Sequence, residues 1–258
     1  MVTRSDHRAT AILLFAQVVI LIGGYFVLQA AFNFPDILRE SASDRLTLFA
    51  SKESIVVPTY WIYAMTGLLQ VAFSVMLWRV SRVRDTALGQ LAVVFGILTG
   101  VFQVMGFIRW VVVIPVLAAA LKAGTSADSI ALIESVLNAY GGMAIGEHLG
   151  FMAQATWCVL LGLSLLKSDV FDHKLAWAGV GIGAVTYLVA IEPLSHVFAV
   201  LAPLSIGVSG AFLIWLFVLG VSLLRTEPEV SRGPAVGWKT GLACAVFWAV
   251  AAAPGMFS

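Results

Sequence analysis

Charge is what this sequence has least of. Of its 258 residues only 11% are Asp, Glu, Lys or Arg, while 60% are hydrophobic. A water-soluble domain carries about 25% charged residues, so most of this chain's surface does not face water. Fifteen Lys and Arg against fourteen Asp and Glu leave a net charge of +1, which excludes the basic field that a nucleic-acid partner requires. Cysteine is equally scarce. Cys158 and Cys244 both lie in apolar runs, form no CxxC or zinc-finger spacing, and read as small buried hydrophobes. HExxH and GxSxG motifs are absent, and no Asp lies within the apolar runs, which excludes a Ser-His-Asp hydrolase. A retinal protein needs a lysine deep in a helix, and Lys239 stands at the end of one. A ceramidase-like zinc site usually needs three histidines, and only two are in range.

What the chain does have is apolar length. Mean hydropathy is +0.98, and runs of about 20 apolar residues recur, enough for each to cross a bilayer as a helix. The fold class is all-α: a polytopic helical membrane bundle forming one transmembrane domain over 1–258, with about seven spans near 9–32, 57–78, 88–110, 143–166, 175–194, 204–224 and 238–257. The first run is longer than a signal-peptide core and lacks an evident cleavage site, so it reads as the first membrane helix. Leu175 to Leu224 is a single run long enough for two helices, with Pro193 and Pro203 bracketing the turn.

Lys and Arg set the orientation. Arg4 and Arg8, Arg79, Arg82 and Arg84, Lys167 and Lys174, and Arg225, Arg232 and Lys239 all fall on one side if the helices alternate. Only Arg39, Arg45, Lys52 and Lys122 fall on the other. The positive-inside rule makes the richer side, with the N-terminus, cytoplasmic. Tyr60, Trp61, Trp78, Trp110, Tyr140, Trp177 and Trp238 are expected at the membrane interfaces. Two outer segments exceed simple turns. Residues 33–56 are mixed enough for an amphipathic surface helix. Residues 125–140 begin with a Ser126 helix-start signature and place Ile130, Ile133, Val136 and Leu137 on one stripe, as an interfacial helix or a lid. Ala176, Gly179 and Gly183 suit close helix packing, and Gln17, Gln70, Gln103 and Gln154 suit interhelical hydrogen bonds.

Five titratable residues interrupt the spans: Arg109, Glu147, His148, Glu192 and His196. At about 1.5 Å per residue, all five stand roughly 26–31 Å above the cytoplasmic helix ends, near the outer boundary of the hydrocarbon. Charges there are costly unless partnered, and an Arg109 pair with Glu147 or Glu192 is the least costly arrangement. A structural latch is the plain alternative, since residues near helix ends can snorkel to the headgroups.

Three chemistries suit these side chains. In the first, His148, His196 and Glu147 hold a divalent metal such as zinc or iron, the second carboxylate, Glu192, activates a bound water, and Arg109 holds an anionic group or oxyanion. In the second, His148 and His196 are axial ligands of a b-type haem. In the third, the same residues bind a proton, cation or small polar ligand in a transporter or sensor, although transporter sites usually lie nearer the midplane.

The run "GFIRWVVVIPVLAAAL" with "NAYGGMAIGEHLGFMAQATW" resembles a family of uncharacterised bacterial multi-pass membrane proteins bearing only a domain-of-unknown-function label. The similarity covers roughly residues 90–225 and draws Arg109, Pro115, Asn138, Tyr140, Gly146 and Glu147 into one block. It implies six helices, with 238–257 as an addition, and a bacterial inner-membrane location; it implies no activity. Taken together, the expectation is an integral membrane enzyme of the inner (plasma) membrane. Glu147, Glu192 and Arg109 are its catalytic candidates, and it is surrounded by membrane lipids and acts on a lipid-like or small amphiphilic substrate. A transporter or sensor and a bis-histidine haem protein are its alternatives.

Overall fold

The computed structural model describes residues 2–83 and 86–226, with backbone alone for His196. Its elements are α1 (Arg4–Phe32), a 3-10 turn (Asp36–Arg39), α2 (Ala42–Val80), α3 (Ala87–Lys122), α4 (Ala127–Leu137), a π-helical segment (Asn138–Leu149), α5 (Gly150–Leu165), α6 (His173–Ala190), 3-10 turns at Glu192–Leu194 and His196–Leu201, and α7 (Ala202–Arg225). α4, the π segment and α5 run on as one rod, so six helices among the described residues are long and apolar enough to span a membrane. The protein is a multi-pass helical membrane bundle. The expected seventh span, 238–257, lies outside the described residues, as do Arg84, Arg232, Trp238, Lys239 and Cys244.

Side-chain caps fix most helix starts. Thr3 and Asp6 form a reciprocal capping box on α1, and Ser41, Thr86 and Asp172 cap α2, α3 and α6, each satisfying a backbone N–H that the helix leaves free. The helices pack in antiparallel pairs, α2 on α3, α5 on α6, and α1 between α2 and α7. Small residues allow the closest approaches. A Cβ on Gly183 would stand 2.7 Å from the Ala155 carbonyl oxygen, and one on Gly162 equally near that of Ala176. Gln103 of α3 donates to Thr66 of α2 at 3.0 Å, an interhelical bond of the expected kind.

The described cations segregate as the alternation requires. Arg79 pairs with Asp6 at 3.3 Å and Arg82 with Asp169 at 2.6 Å at the N-terminal end. Lys122 meets Glu53 at 3.9 Å at the other, which the charge bias makes the outer end. Each end has its own apolar core. One centres on Trp157, Trp215, Phe73 and Phe212, the other on Trp110, Tyr60, Phe32 and Phe49.

Several expectations change. Residues 42–56 form no separate surface helix; α2 starts at Ala42 and runs straight on into the span. The fourth span likewise begins near Ala127 rather than 143. At about 1.5 Å per residue α2 and α3 are some 55 Å long, against about 30 Å of hydrocarbon, whereas α6 at 18 residues matches the bilayer. Tilt can absorb part of such an excess, and the added length lies at the end that the charge bias makes outer. There Tyr60 and Trp110 are buried, stacked with ring centroids 5.1 Å apart, not placed at an interface; Tyr140 and Trp177 are exposed. On α4 the inward residues are Ile130 and Glu134, while Ile133 and Val136 point outward. The stripe is turned because a buried carboxylate, not another apolar residue, follows Ile130 by one turn.

Candidate functional site

Glu147 and Glu192 do meet a guanidinium, but it is not Arg109. Arg39, at the end of the 3-10 turn after α1, donates from Nη1 to Glu147 Oε1 at 3.2 Å, from Nη2 to Glu147 Oε2 at 2.6 Å, and from the same Nη2 to Glu192 Oε2 at 2.9 Å. Three elements far apart in sequence are thereby tied together: the turn, the π segment, and the connection between α6 and α7. The Arg39 side chain is 43% exposed, while those of Glu147 and Glu192 are 20% and 12% exposed. Burial alone lowers the proton affinity of Arg39. The hydrogen bond and charge of Glu147, then those of Glu192, outweigh it and raise the pKa above the ordinary arginine value. One cation between two carboxylates leaves the clamp with one net negative charge.

Arg109 lies inside the fold with Nη2 on Asn138 Oδ1 at 3.1 Å and Nη1 on the Gly106 carbonyl oxygen. Its Cζ sits 5.3 Å from the Trp110 ring centroid, and among the described residues its Nε has no hydrogen-bond partner. Among the described residues no carboxylate comes within ion-pair distance of it. The expected Arg109–Glu pair is thus replaced by neutral acceptors, because Asn138 and Gly142 of the π segment occupy the space beside the guanidinium. A Cβ on Gly142 would stand 2.6 Å from Arg109 Nη2. One turn away the backbones of α3 and the π segment touch, a Cβ on Gly106 falling 2.8 Å from Gly146 Cα. π-helical stretches are rare and gather at functional sites; this one covers 12 residues and carries Asn138, Glu147 and His148.

His148 hydrogen-bonds from Nδ1 to the Ala190 carbonyl oxygen at 2.7 Å. A carbonyl can only accept, so the proton is on Nδ1 and a neutral ring keeps its Nε2 lone pair free. His196 begins the last 3-10 turn; its side chain lies outside the described residues. Among the described residues no three His, Cys, Asp or Glu side chains are grouped closely enough to hold a metal ion.

A second ion pair escaped the sequence reading. Arg45 of α2 and Glu134 of α4 form a bidentate pair, Nε to Oε1 at 2.8 Å and Nη2 to Oε2, and Arg45 Nη1 also reaches the Glu40 carbonyl oxygen. Both side chains are buried, 6% and 1% exposed. The signal available in sequence was charge balance. Two carboxylates in apolar spans and one acid on the α4 stripe needed cations, and the segment 33–56 holds three.

The family profile "Domain of unknown function (DUF4386)" matches residues 9–226, and the chain belongs to that family. Neither the curated proteins nor the solved structures compared with the chain gave a match.

Proposed function

We propose that the protein is a membrane ligand-binding protein, a carrier or sensor of the bacterial inner membrane, whose recognition element is the Glu147–Glu192 carboxylate pair. Arg39 acts as a tethered internal cation that a cationic ligand displaces from the outer side. The carrying observation is the shared Nη2. It holds one oxygen of each carboxylate, at 2.6 and 2.9 Å, so the two oxygens are no more than 5.5 Å apart and converge on a space already sized for an N–H donor. The clamp's spare negative charge favours a second cation or a proton, and the exposure of Arg39 gives it access. Because the clamp joins three elements, displacing Arg39 frees the turn after α1 from the α6–α7 connection, which is the kind of two-state contact a ligand can bias.

Thermal unfolding of the detergent-purified protein with small alkylamines, polyamines and alkylguanidines tests this. At least one cation is expected to raise the midpoint of the wild type and to lose that effect in Glu147→Gln. Stabilisation by none, or equal stabilisation of the variant, would overturn the reading.

One observation favours a second reading, a metal-dependent membrane enzyme acting on a lipid-like substrate. A histidine whose Nδ1–H is held by a backbone carbonyl is oriented as metal-binding imidazoles commonly are, and Glu147 adjoins it in the chain. In that reading Glu147 and His148 hold zinc or iron, His196 completes the set, and Glu192 serves as base. Elemental analysis with an absorption spectrum decides: near-stoichiometric metal lost in His148→Ala supports the enzyme, a haem band supports haem b, and neither removes both.

A further inference from the structure

The N-terminal, cytoplasm-facing end of the bundle holds a cavity of about 230 Å³ lined by Arg4, His7, Arg8, Leu223, Leu224, Arg225 and Thr226. It lies where the start of α1 meets the end of α7. Asp6, the acid of that first turn, is engaged by Arg79. Among the described residues Arg4, Arg8 and Arg225 have no carboxylate within 4 Å. His7 is 1% exposed, and neither ring nitrogen makes a hydrogen bond of ordinary geometry, although the backbone of Thr226 and Leu223 lies against the ring. Three guanidinium groups without a carboxylate partner among the described residues, beside a buried imidazole and around one cavity, form a receptor for a multiply hydrogen-bonding anion, above all a phosphate.

The surroundings say what carries that phosphate. Ile12 and Val19, two turns apart on α1, and Phe217 and Leu224, two turns apart on α7, are all exposed large hydrophobics. Phe15 and Phe217 meet across the seam with ring centroids 5.2 Å apart. An apolar seam thus rises into the membrane from the mouth of a basic pocket, and basic pockets between helices on the cytoplasmic side suit anionic headgroups. We infer that this pocket is a site for an anionic phospholipid, its phosphate held by Arg4, Arg8 and Arg225 with His7, and its acyl chains lying along the α1–α7 seam. The site is independent of the outer carboxylate pair.

The test uses the full chain in a neutral detergent, read by native mass spectrometry and thermal unfolding, with dioleoyl-phosphatidylglycerol, dioleoyl-phosphatidylcholine and inorganic phosphate as probes. Phosphatidylglycerol is expected to stay bound and raise the unfolding midpoint; phosphatidylcholine and millimolar phosphate are not. Each arginine removed, first in Arg8→Gln and then in Arg8→Gln/Arg225→Gln, weakens lipid binding about fivefold, whereas Lys122→Gln at the opposite end leaves it unchanged. Equal retention of the two lipids, or undiminished phosphatidylglycerol binding in the arginine variants, overturns the inference. Inorganic phosphate that stabilises equally and displaces the lipid overturns it in favour of a free-phosphate site. Should the double variant fail to elute as a folded protein, Arg8→Gln and the lipid comparison on the wild type decide.

Discussion

Among single residues, two ion-pair systems do different work. The Arg45–Glu134 pair is buried and geometrically complete, so its loss leaves an orphaned charge rather than a solvated one. Removing one member of such a pair costs about 3–5 kcal/mol, and replacing both by apolar residues costs much less. Glu134→Leu and Arg45→Met are each expected to lower the unfolding midpoint strongly, and the double variant to recover most of it. A double variant destabilised by the sum of the two single losses would show that the pair contributes nothing beyond its separate parts. The Arg39 clamp is more exposed, and solvent screening shrinks its contribution; on the proposed reading its role is to be displaced. Glu147 and Glu192 were legible in the sequence because a carboxylate in an apolar run stands out. Arg39 was not. It sits among several outer cations, and nothing local says which of them reaches across 108 residues to a span. Arg109 was singled out as a charge within a span that needs a partner, but a carboxylate was expected where Asn138 stands, because the sequence does not reveal that Asn138 would face it.

At the level of elements, the rod from Ala127 to Leu165 is the part that positions the site, and its π segment depends on glycine. Where Gly106 meets Gly146, an added methyl has backbone in its way. Gly106→Ala therefore forces α3 and the π segment apart and is expected to lower the unfolding midpoint. Gly181→Ala in α6 meets nothing within 4 Å, and relief of glycine's entropic cost makes it neutral or stabilising by about 0.5–1 kcal/mol. Like effects of the two substitutions in thermal unfolding would contradict the close α3–π contact. Hydrophobic runs predicted the cores of the spans well. Their outer extensions were read as separate surface helices rather than continuations of the spans for a physical reason: residues 42–56 and 127–142 are held by tertiary packing and the Arg45–Glu134 pair, with a side-chain cap from Ser41 but none from Ser126, and none of these leaves an apolar run of spanning length.

For the whole molecule, the charge bias and the ion pairs at the two ends describe one orientation. Lys52 and Lys167 are exposed at opposite ends. In a Cys158→Ala/Cys244→Ala background, Lys52→Cys is expected to react with an impermeant maleimide in intact cells, and Lys167→Cys only after the membrane is opened. The reverse pattern would invert the bundle and turn the carboxylate pair to the cytoplasm. On the proposed reading, outer elements joined by the Arg39 clamp form an arrangement suited to answering a ligand from outside. The most direct measurement of that claim is chemical rescue of Arg39→Ala. Removing the tethered cation is expected to lower the unfolding midpoint by about 2–4 °C, the shift for roughly 1 kcal/mol in a chain of this size. Millimolar methylguanidinium should restore it in Arg39→Ala and leave Arg39→Ala/Glu147→Gln unmoved. A midpoint in Arg39→Ala that methylguanidinium does not raise, or raises equally in the double variant, would contradict recognition of a cation by Glu147 and Glu192.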